Sequence, residues 1–244
     1  MNRLFKKILN SHPYPDLEIL SSAHIAHLPE PIQRYLSFSQ VLGKPITQSL
    51  WLHQKGRFLL KGKRWVAMQA EQLFDIPAQA FIWKAKTGLF RVTDQYLEQS
   101  GALIVKMGPF RLAKAIGPEV DQGEALRLLT ELIWMPSAFT APFVQWESID
   151  ATKAKGTIHY GNQSASAIFH IQPNGAVESI TAQRYREDQG QFDLCPWLIN
   201  GFEYQTLAGF QIPYQANVQW QLPEALQSYY QFTIDQYFPN PHLL

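Results

Sequence analysis

The chain is poor in cysteine, in charge and in long apolar segments. Its 244 residues include one cysteine, Cys195, so no intramolecular disulfide framework is available; it has no basic neighbour in FDLCPW, and we interpret it as an inert thiol. Charged residues make up 17% of the chain, and the formal net charge is +1. Without a basic block or stripe, nucleic acid is not an expected partner. No apolar run approaches the ~20 residues that cross a bilayer, so no transmembrane segment is predicted.

A complete secretion signal is also missing at the N-terminus. The first ten residues, MNRLFKKILN, carry basic side chains, but SHPYPDLE follows where an apolar segment should be. The sequence therefore predicts a cytoplasmic protein. Four apolar residues have the spacing of a short amphipathic contact with a membrane or a partner, although an unpacked chain end is the interpretation we favour: Leu4, Phe5, Ile8 and Leu9.

Aromatic residues are abundant, at 13%, and they recur with a period of two along most of the chain. In SLWLHQKGRFLL and in WVAMQAEQLF, apolar and polar residues alternate on either side of the turn signal KGK. This pattern predicts an antiparallel hairpin. About ten such alternating runs follow one another, which is typical of antiparallel sheets with one buried face.

Two helical regions interrupt this pattern. Residues 1–45 are predicted to form an N-terminal helical segment, with a short helix over Leu28–Phe38. Residues 46–244 are then predicted to form a single sheet domain with an inserted helix around 121–135. Asp121 is the expected N-cap of that helix, and Pro136 is expected to end it.

The inserted helix has a polar stripe that contains a tryptophan. Arg127 and Glu131 are spaced i,i+4, and Trp134 lies a turn further on. A solvated ion pair beside a partly buried indole is one interpretation. The other, equally weighted, is a polar patch at a cavity mouth, where Arg127 could hold a carboxylate or phosphate group. We predict that Trp134 is mostly buried and that the segment 141–150 covers the stripe.

A second pair of arginines continues an apolar strand face. In SITAQRYR, Arg184 and Arg186 share a phase with Ile180 and Ala182. A buried unpaired charge is costly, so these arginines need acidic partners or an anionic ligand. We favour a structural salt bridge, with three candidate partners: Glu131, Asp150 and Asp94.

The patterns of catalytic and metal sites are missing. His24 and His27 could meet on a helix, but no third ligand lies near them in sequence, and no metal site is predicted. Neither a nucleophile elbow nor a phosphate-binding glycine loop is found. We therefore assign no catalytic residue and no cofactor, and the case for an enzyme stays weak.

An ordered set of motifs resembles a bacterial family of unknown function. The motifs extend from about Leu28 to the last strand: LPEPIQRYL, WVAMQAEQ, FIWKAK, RLLTELIWMPSAF, VQWESID and GFQIPYQANVQW. The segment FEYQTLAGFQIPYQANVQWQL, followed by YYQFTIDQYF, more loosely resembles the end of lipoprotein carriers of the LolA/LppX type. That second resemblance implies an α+β fold: a highly curved antiparallel sheet, or half-barrel, with helices packed in its concave face.

These observations lead to a ranked set of functional hypotheses. The first is non-covalent binding of a small apolar or amphiphilic, lipid-like ligand in the half-barrel cavity. The second is a hydrolase or isomerase that uses Glu131 with an arginine, and the third is a protein–protein adaptor. The strand phases predict that Trp83 and Trp220 face the concave interior. The full candidate set of ligand-binding residues is Arg127, Glu131, Trp134, Trp83, Trp146, Arg184, Arg186 and Trp220.

Overall fold

The computed structural model describes residues 17–60 and 64–241. Over these residues, the protein forms one antiparallel sheet and three α-helices. Two helices precede the first strand, and the third lies between the sixth and seventh strands. The helices are α1 (Ser22–Ile25), α2 (Glu30–Phe38) and α3 (Pro118–Glu131). The N-terminal stretch, interpreted above as an unpacked chain end, and the KGK turn signal at residues 61–63 lie outside the described residues.

The sheet contains thirteen strands, where the sequence predicted about ten. Their bounds are β1 (Ser49–Leu60), β2 (Arg64–Asp75), β3 (Ala80–Thr87), β4 (Phe90–Leu97), β5 (Ser100–Met107), β6 (Phe110–Ala115), β7 (Val144–Asp150), β8 (Lys153–Tyr160), β9 (Gln163–Ile171), β10 (Val177–Asp188), β11 (Gln191–Leu207), β12 (Phe210–Gln221) and β13 (Leu226–Pro239). The predicted hairpin of β1 and β2 is confirmed, with Leu50 opposite Phe74 and Phe58 opposite Val66.

Two meanders make up this sheet. One runs from β1 to β6 and the other from β7 to β13, and they join where β1 pairs with β13. Register shifts in β1 at His53/Gln54 and between β12 and β13 at Val218/Gln219 mark bulges, which bend strands and increase twist. The sheet curls into the half-barrel that the sequence resemblance implied, and the predicted α+β class is confirmed.

Helix α3 crosses the concave side between the two meanders. It contacts β4 and β5 on one side and β8, β9 and β10 on the other. It begins at Pro118, three residues before the predicted start, because Pro118 suits the first helical turn and Gly117 supplies a backbone φ of 122°. Asp121 accepts a hydrogen bond from the Gly101 amide (2.7 Å) and so tethers the helix to β5.

Two 3-10 turns follow α3 and fill part of the concavity. They span Leu132–Trp134 and Pro136–Thr140. The Phe139 ring packs against Tyr35 of α2, Trp146 of β7 and Phe169 of β9, with ring centroids 4.8–5.5 Å apart. The Tyr35 hydroxyl donates to the Ile133 carbonyl at 2.6 Å. We call this cluster of Tyr35, Ile133, Phe139, Trp146 and Phe169 the packed region. The division of the chain at residues 45/46 stays a prediction.

Candidate functional site

Beside the packed region, the concave side contains a cavity of about 540 Å³. This volume lies within the usual range of small-molecule sites, about 300–1,000 Å³. Its walls come from both meanders and are mainly aromatic and aliphatic: Phe58, Trp83, Val92, Leu103, Val105, Ile133, Trp134, Trp197, Ile199, Phe202, Val218, Trp220, Tyr229, Tyr230 and Phe232. Exposed and partly exposed strand ends, including Leu60, Thr87 and Asp188, also line it and mark its mouth.

Trp83 and Trp220 both line this cavity, so the predicted strand phases are confirmed. The Trp83 indole donates to Gln54 Oε1 at 3.0 Å, and the same oxygen accepts from the Tyr230 hydroxyl at 2.8 Å. Trp220 stacks on Tyr229 with the ring centroids 5.4 Å apart. Gln54 thus fixes two aromatic walls through one buried oxygen.

Trp134 is buried, as predicted, with 3% of its surface exposed. Its indole nitrogen donates to the Pro213 carbonyl at 3.1 Å, and its ring meets Phe74 and Phe232 edge-on. The α-helix ends at Glu131, and Trp134 belongs to a 3-10 turn with about three residues per turn. The tighter winding moves the indole off the polar stripe and into the wall of the cavity.

Arg127 lies at the centre of a buried ionic cluster. Its guanidinium contacts Asp94 Oδ2 at 2.6 Å, Glu131 Oε1 at 3.0 Å and Glu124 Oε2 at 3.4 Å. It also stacks over the Phe81 ring, 4.7 Å from the centroid. Arg184 joins the cluster through Glu124 Oε1 at 3.3 Å. We refer to Asp94, Glu124, Arg127, Glu131 and Arg184 as the ionic cluster.

The cover over the polar stripe is different from the one predicted. β3 and β4 supply it, through Phe81, Trp83 and Asp94. The segment 141–150 does not, because the stripe faces β3 and β4, while β7 lies at the opposite end of the sheet beside β8. Asp150 is exposed, and hydrogen bonds from the Thr152 backbone and hydroxyl lower the pKa of its carboxyl group. Within the described residues, Asp150 forms no ion pair with Arg127, Arg184 or Arg186.

Two further candidate residues are separated from the ionic cluster. Arg186 lines the mouth, and its nearest acidic contact is Asp188 at 3.9 Å. Trp146 belongs to the packed region, where its indole donates to the Phe139 carbonyl at 2.9 Å. It is not among the residues that line the cavity. The expectation that Trp146 shares the site with Arg127 is therefore wrong.

The ionic cluster contains three carboxyl groups and two guanidinium groups. Desolvation, followed by the nearby charge of Asp94, raises the pKa of Glu124 to about 8. Burial also raises the pKa of Glu131, against the opposing effects of Arg127 and Gln72. Glu124 therefore keeps its proton to a higher pH than a solvated glutamate does.

Several site residues were not identified from the sequence. Gln54 and Gln72 each occupy an apolar strand phase, and both are almost completely buried. Gln72 donates to Glu131 Oε2 at 2.6 Å. Asp94 likewise interrupts the phase of Val92 and Tyr96, and it was named only as one of three partners for the arginines. A polar residue within an apolar phase was the available signal for all three positions.

Within residues 17–60 and 64–241, no three histidine, cysteine, aspartate or glutamate side chains are grouped as metal ligands would be. His24 accepts or donates in bonds to Ser21 and Glu18. Over the same ranges, no helix has the length and apolar character needed to span a membrane.

A family model for a family of unknown function, DUF6544, matches residues 18–232. The chain belongs to the DUF6544 family. The family membership expected from the motif set is thereby confirmed. No curated protein matches this member of the family.

Two solved structures are similar to the chain over most of its length. One is a LolA-superfamily protein from Nitrosomonas europaea, with 11% identity, a TM-score of 0.47, and coverage of 87% of this chain and 97% of the other. The second is a putative outer membrane lipoprotein-sorting protein domain from Vibrio parahaemolyticus, with 4% identity, a TM-score of 0.46, and coverage of 86% and 91%.

Proposed function

We propose that the protein binds a small amphiphilic molecule non-covalently in the cavity, with the ligand's apolar part between Trp83 and Trp220. The main observation in its favour is the cavity of about 540 Å³, which is walled by aromatic and aliphatic side chains and bordered by the ionic cluster. Such a combination of apolar walls and a few converging polar groups is typical of small-molecule sites. On the sequence expectation alone, we place this binding in the cytoplasm.

The ionic cluster supports a polar end on the ligand. Asp94, Arg127, Glu131 and Arg184 all line the cavity. Asp94 Oδ1 is buried and has no hydrogen-bond partner among the described residues. A buried acceptor without a donor costs free energy, so a ligand hydroxyl or amine that donates to Asp94 Oδ1 would be stabilised there.

A second candidate function is acid–base catalysis by Glu131. The observation in its favour is that the Glu131 carboxyl group lines the cavity and that burial raises its pKa. A raised pKa is a feature of many catalytic acids. Both Glu131 oxygens, however, already accept hydrogen bonds, one from Arg127 and the other from Gln72. This arrangement suits an anchor for Arg127 better than a proton donor, and we rank catalysis second.

The test is a titration with a fluorescent monoacylglycerol analogue, whose hydroxyl groups can donate to Asp94 Oδ1. It is carried out on two variants of one strand. Val92 lines the cavity, whereas its neighbour Thr93 projects from the opposite face of β4. We expect Val92→Phe to occupy ligand volume and weaken binding at least tenfold. Thr93→Phe, the matched control, should bind as the wild type does.

Equal binding by wild type and Val92→Phe, or no saturable binding by the wild type, would refute the proposal. Thermal unfolding of both variants checks that each is folded. A turnover assay across ester and isomerisable substrates separates the second candidate function: loss of turnover in Glu131→Gln with unchanged probe affinity would favour catalysis.

A further inference from the structure

Two neighbouring hairpins carry exposed apolar side chains at the end beside the cavity mouth. In the hairpin of β3 and β4, Leu89 is 77% exposed and Phe90 follows it. In the hairpin of β5 and β6, Phe110 is 68% exposed and Met107 precedes it. Large apolar side chains grouped in water are uncommon on monomeric proteins and mark interaction sites. We call Leu89, Phe90, Met107 and Phe110 the apolar tip.

Strand register aligns this tip with the wall of the cavity. Phe90 pairs with Met107, and Met107 pairs with Phe110, so three of the four side chains form one cross-strand row. Two residues further along the same face, Val92 pairs with Val105, and both line the cavity. The cavity wall therefore continues without interruption into the exposed apolar tip.

From β3 to β6, the adjacent row of residue pairs projects from the opposite face of the same hairpins and consists of basic side chains. Lys86 pairs with Arg91, Arg91 with Lys106, and Lys106 with Arg111, and all four are exposed. Like charges directly opposite one another on neighbouring strands are destabilising. No acidic residue occurs in the sequence within 84–93 or 103–115. An anionic surface would offset this repulsion, and we call these four residues the basic row.

We propose that the apolar tip and the basic row dock the protein onto an anionic membrane surface. The apolar tip would enter the boundary between head groups and acyl chains, and the basic row would contact anionic head groups, as in other peripheral membrane proteins. The cavity mouth would then face the bilayer, where amphiphiles are stored. The opposite side of the mouth carries Glu187 and Asp188 beside one basic residue, Arg186, which favours contact through the uniformly basic β3–β6 side.

Vesicle co-sedimentation tests this docking. Purified protein is mixed with vesicles of phosphatidylcholine alone and with vesicles of equal parts phosphatidylcholine and phosphatidylglycerol. We expect binding to the anionic vesicles that weakens as salt is added. In Arg91→Gln/Lys106→Gln, affinity should fall roughly fivefold for each charge removed. In Leu89→Ser/Phe110→Ser, it should fall roughly tenfold or more.

Matched controls change equivalent residues elsewhere on the surface. Ile149→Ser removes an apolar side chain that is 48% exposed on β7, and Lys153→Gln/Lys155→Gln removes two charges on β8. Both controls should bind vesicles as the wild type does. The proposal would be overturned if the variants of the apolar tip and the basic row bound vesicles as the wild type does. It would also be overturned if the wild type bound neutral and anionic vesicles equally, or bound neither.

Sedimentation velocity separates docking on a membrane from docking on a second copy of the chain. A wild-type dimer that Leu89→Ser/Phe110→Ser converts to a monomer would also overturn the proposal. Vesicle binding is measured without the fluorescent probe, and probe binding is measured without vesicles. The two assays therefore distinguish loss of membrane docking with intact ligand binding from loss of ligand binding with intact membrane docking.

Discussion

The packed region and the cavity lie side by side in one concavity, yet only one of them is filled. In the packed region, Phe139 enters from a 3-10 turn and Tyr35 from α2, and both are completely buried. Around the cavity, the helix instead presents Arg127, Thr130 and Glu131. The strands of both regions alternate in the same way. Where a helix or turn supplies apolar side chains they form a packed core, and where α3 supplies charged side chains a cavity remains.

The difference shows what keeps the cavity open. Close packing favours the filling of voids, and an empty apolar space forfeits dispersion contacts. The charged stripe of α3 cannot collapse onto Trp220 and Tyr230 without leaving its carboxyl groups and guanidinium groups unpaired. The ionic cluster therefore acts as a spacer between α3 and the sheet as well as a polar contact for a ligand.

The largest expected effect concerns this spacer. Arg127→Ala leaves three buried carboxyl groups with only Arg184 to balance them, and breaking a buried ionic network costs about 3–5 kcal/mol. As a control, Lys155→Ala removes a surface pair whose nitrogen and oxygen are 3.5 Å apart, which is worth about 0–1 kcal/mol. Urea unfolding measures both. A loss below about 0.5 kcal/mol for Arg127→Ala would show that the cluster is solvated.

The next prediction compares one phenylalanine from each region. Phe139→Ala should cost about 3–5 kcal/mol, because its buried ring contacts three others. Phe58 lines the cavity and is only partly buried, so Phe58→Ala should cost about 1–2 kcal/mol. Chemical unfolding gives both values. Equal losses would mean that the cavity wall is packed as tightly as the core.

Glu124 gives the cavity side a pH dependence that the packed region does not share. Its pKa is about 8 in the folded protein, whereas the ordinary pKa of a glutamate, which applies to the unfolded chain, is 4.5. The folded state thus retains a proton that the unfolded state has lost, and stability falls as pH rises from about 4.5 to about 8. Glu124→Gln removes this dependence, so the variant should gain several kcal/mol relative to the wild type across that window.

Unfolding by urea over a pH series measures this gain. The exposed Glu147 provides the control, and Glu147→Gln should follow the wild-type profile. The difference in unfolding free energy between the wild type and Glu124→Gln should change between pH 4.5 and about pH 8. A difference that is the same below and above this range would argue against a raised pKa of Glu124.

The smallest effects concern two buried tyrosine hydroxyl groups. Tyr35→Phe removes the hydrogen bond to the Ile133 carbonyl in the packed region and should cost about 1 kcal/mol. Tyr230→Phe should cost less, since Gln54 Oε1 keeps its bond from the Trp83 indole. Thermal unfolding resolves the order of the two. The reverse order would indicate that Gln54 depends on Tyr230 for its position.

Much of the fold could be predicted from alternation, whereas the membership of the site could not. Period-two patterning correctly placed Trp83 and Trp220 on the concave face, because side chains alternate strictly along a strand. The i,i+4 spacing indicated the contact of Arg127 with Glu131, whereas its contact with Asp94 depended on where α3 crosses the sheet, which no local pattern encodes. Asp94 lies 33 residues before Arg127, yet it is the nearest acidic contact. Asp150, closer in sequence, lies at a distant edge.

The central claim is that the cavity holds an amphiphile between Trp83 and Trp220, and a crystal structure with a bromine-labelled monoacylglycerol tests it most directly. Anomalous scattering locates the bromine without reference to the surrounding density. We predict a bromine site in the cavity within contact distance of Trp83 or Trp220, and no such site in Val92→Phe crystals treated in the same way. Bromine found only on the outer surface, with the cavity of the wild type free of label, would contradict the claim.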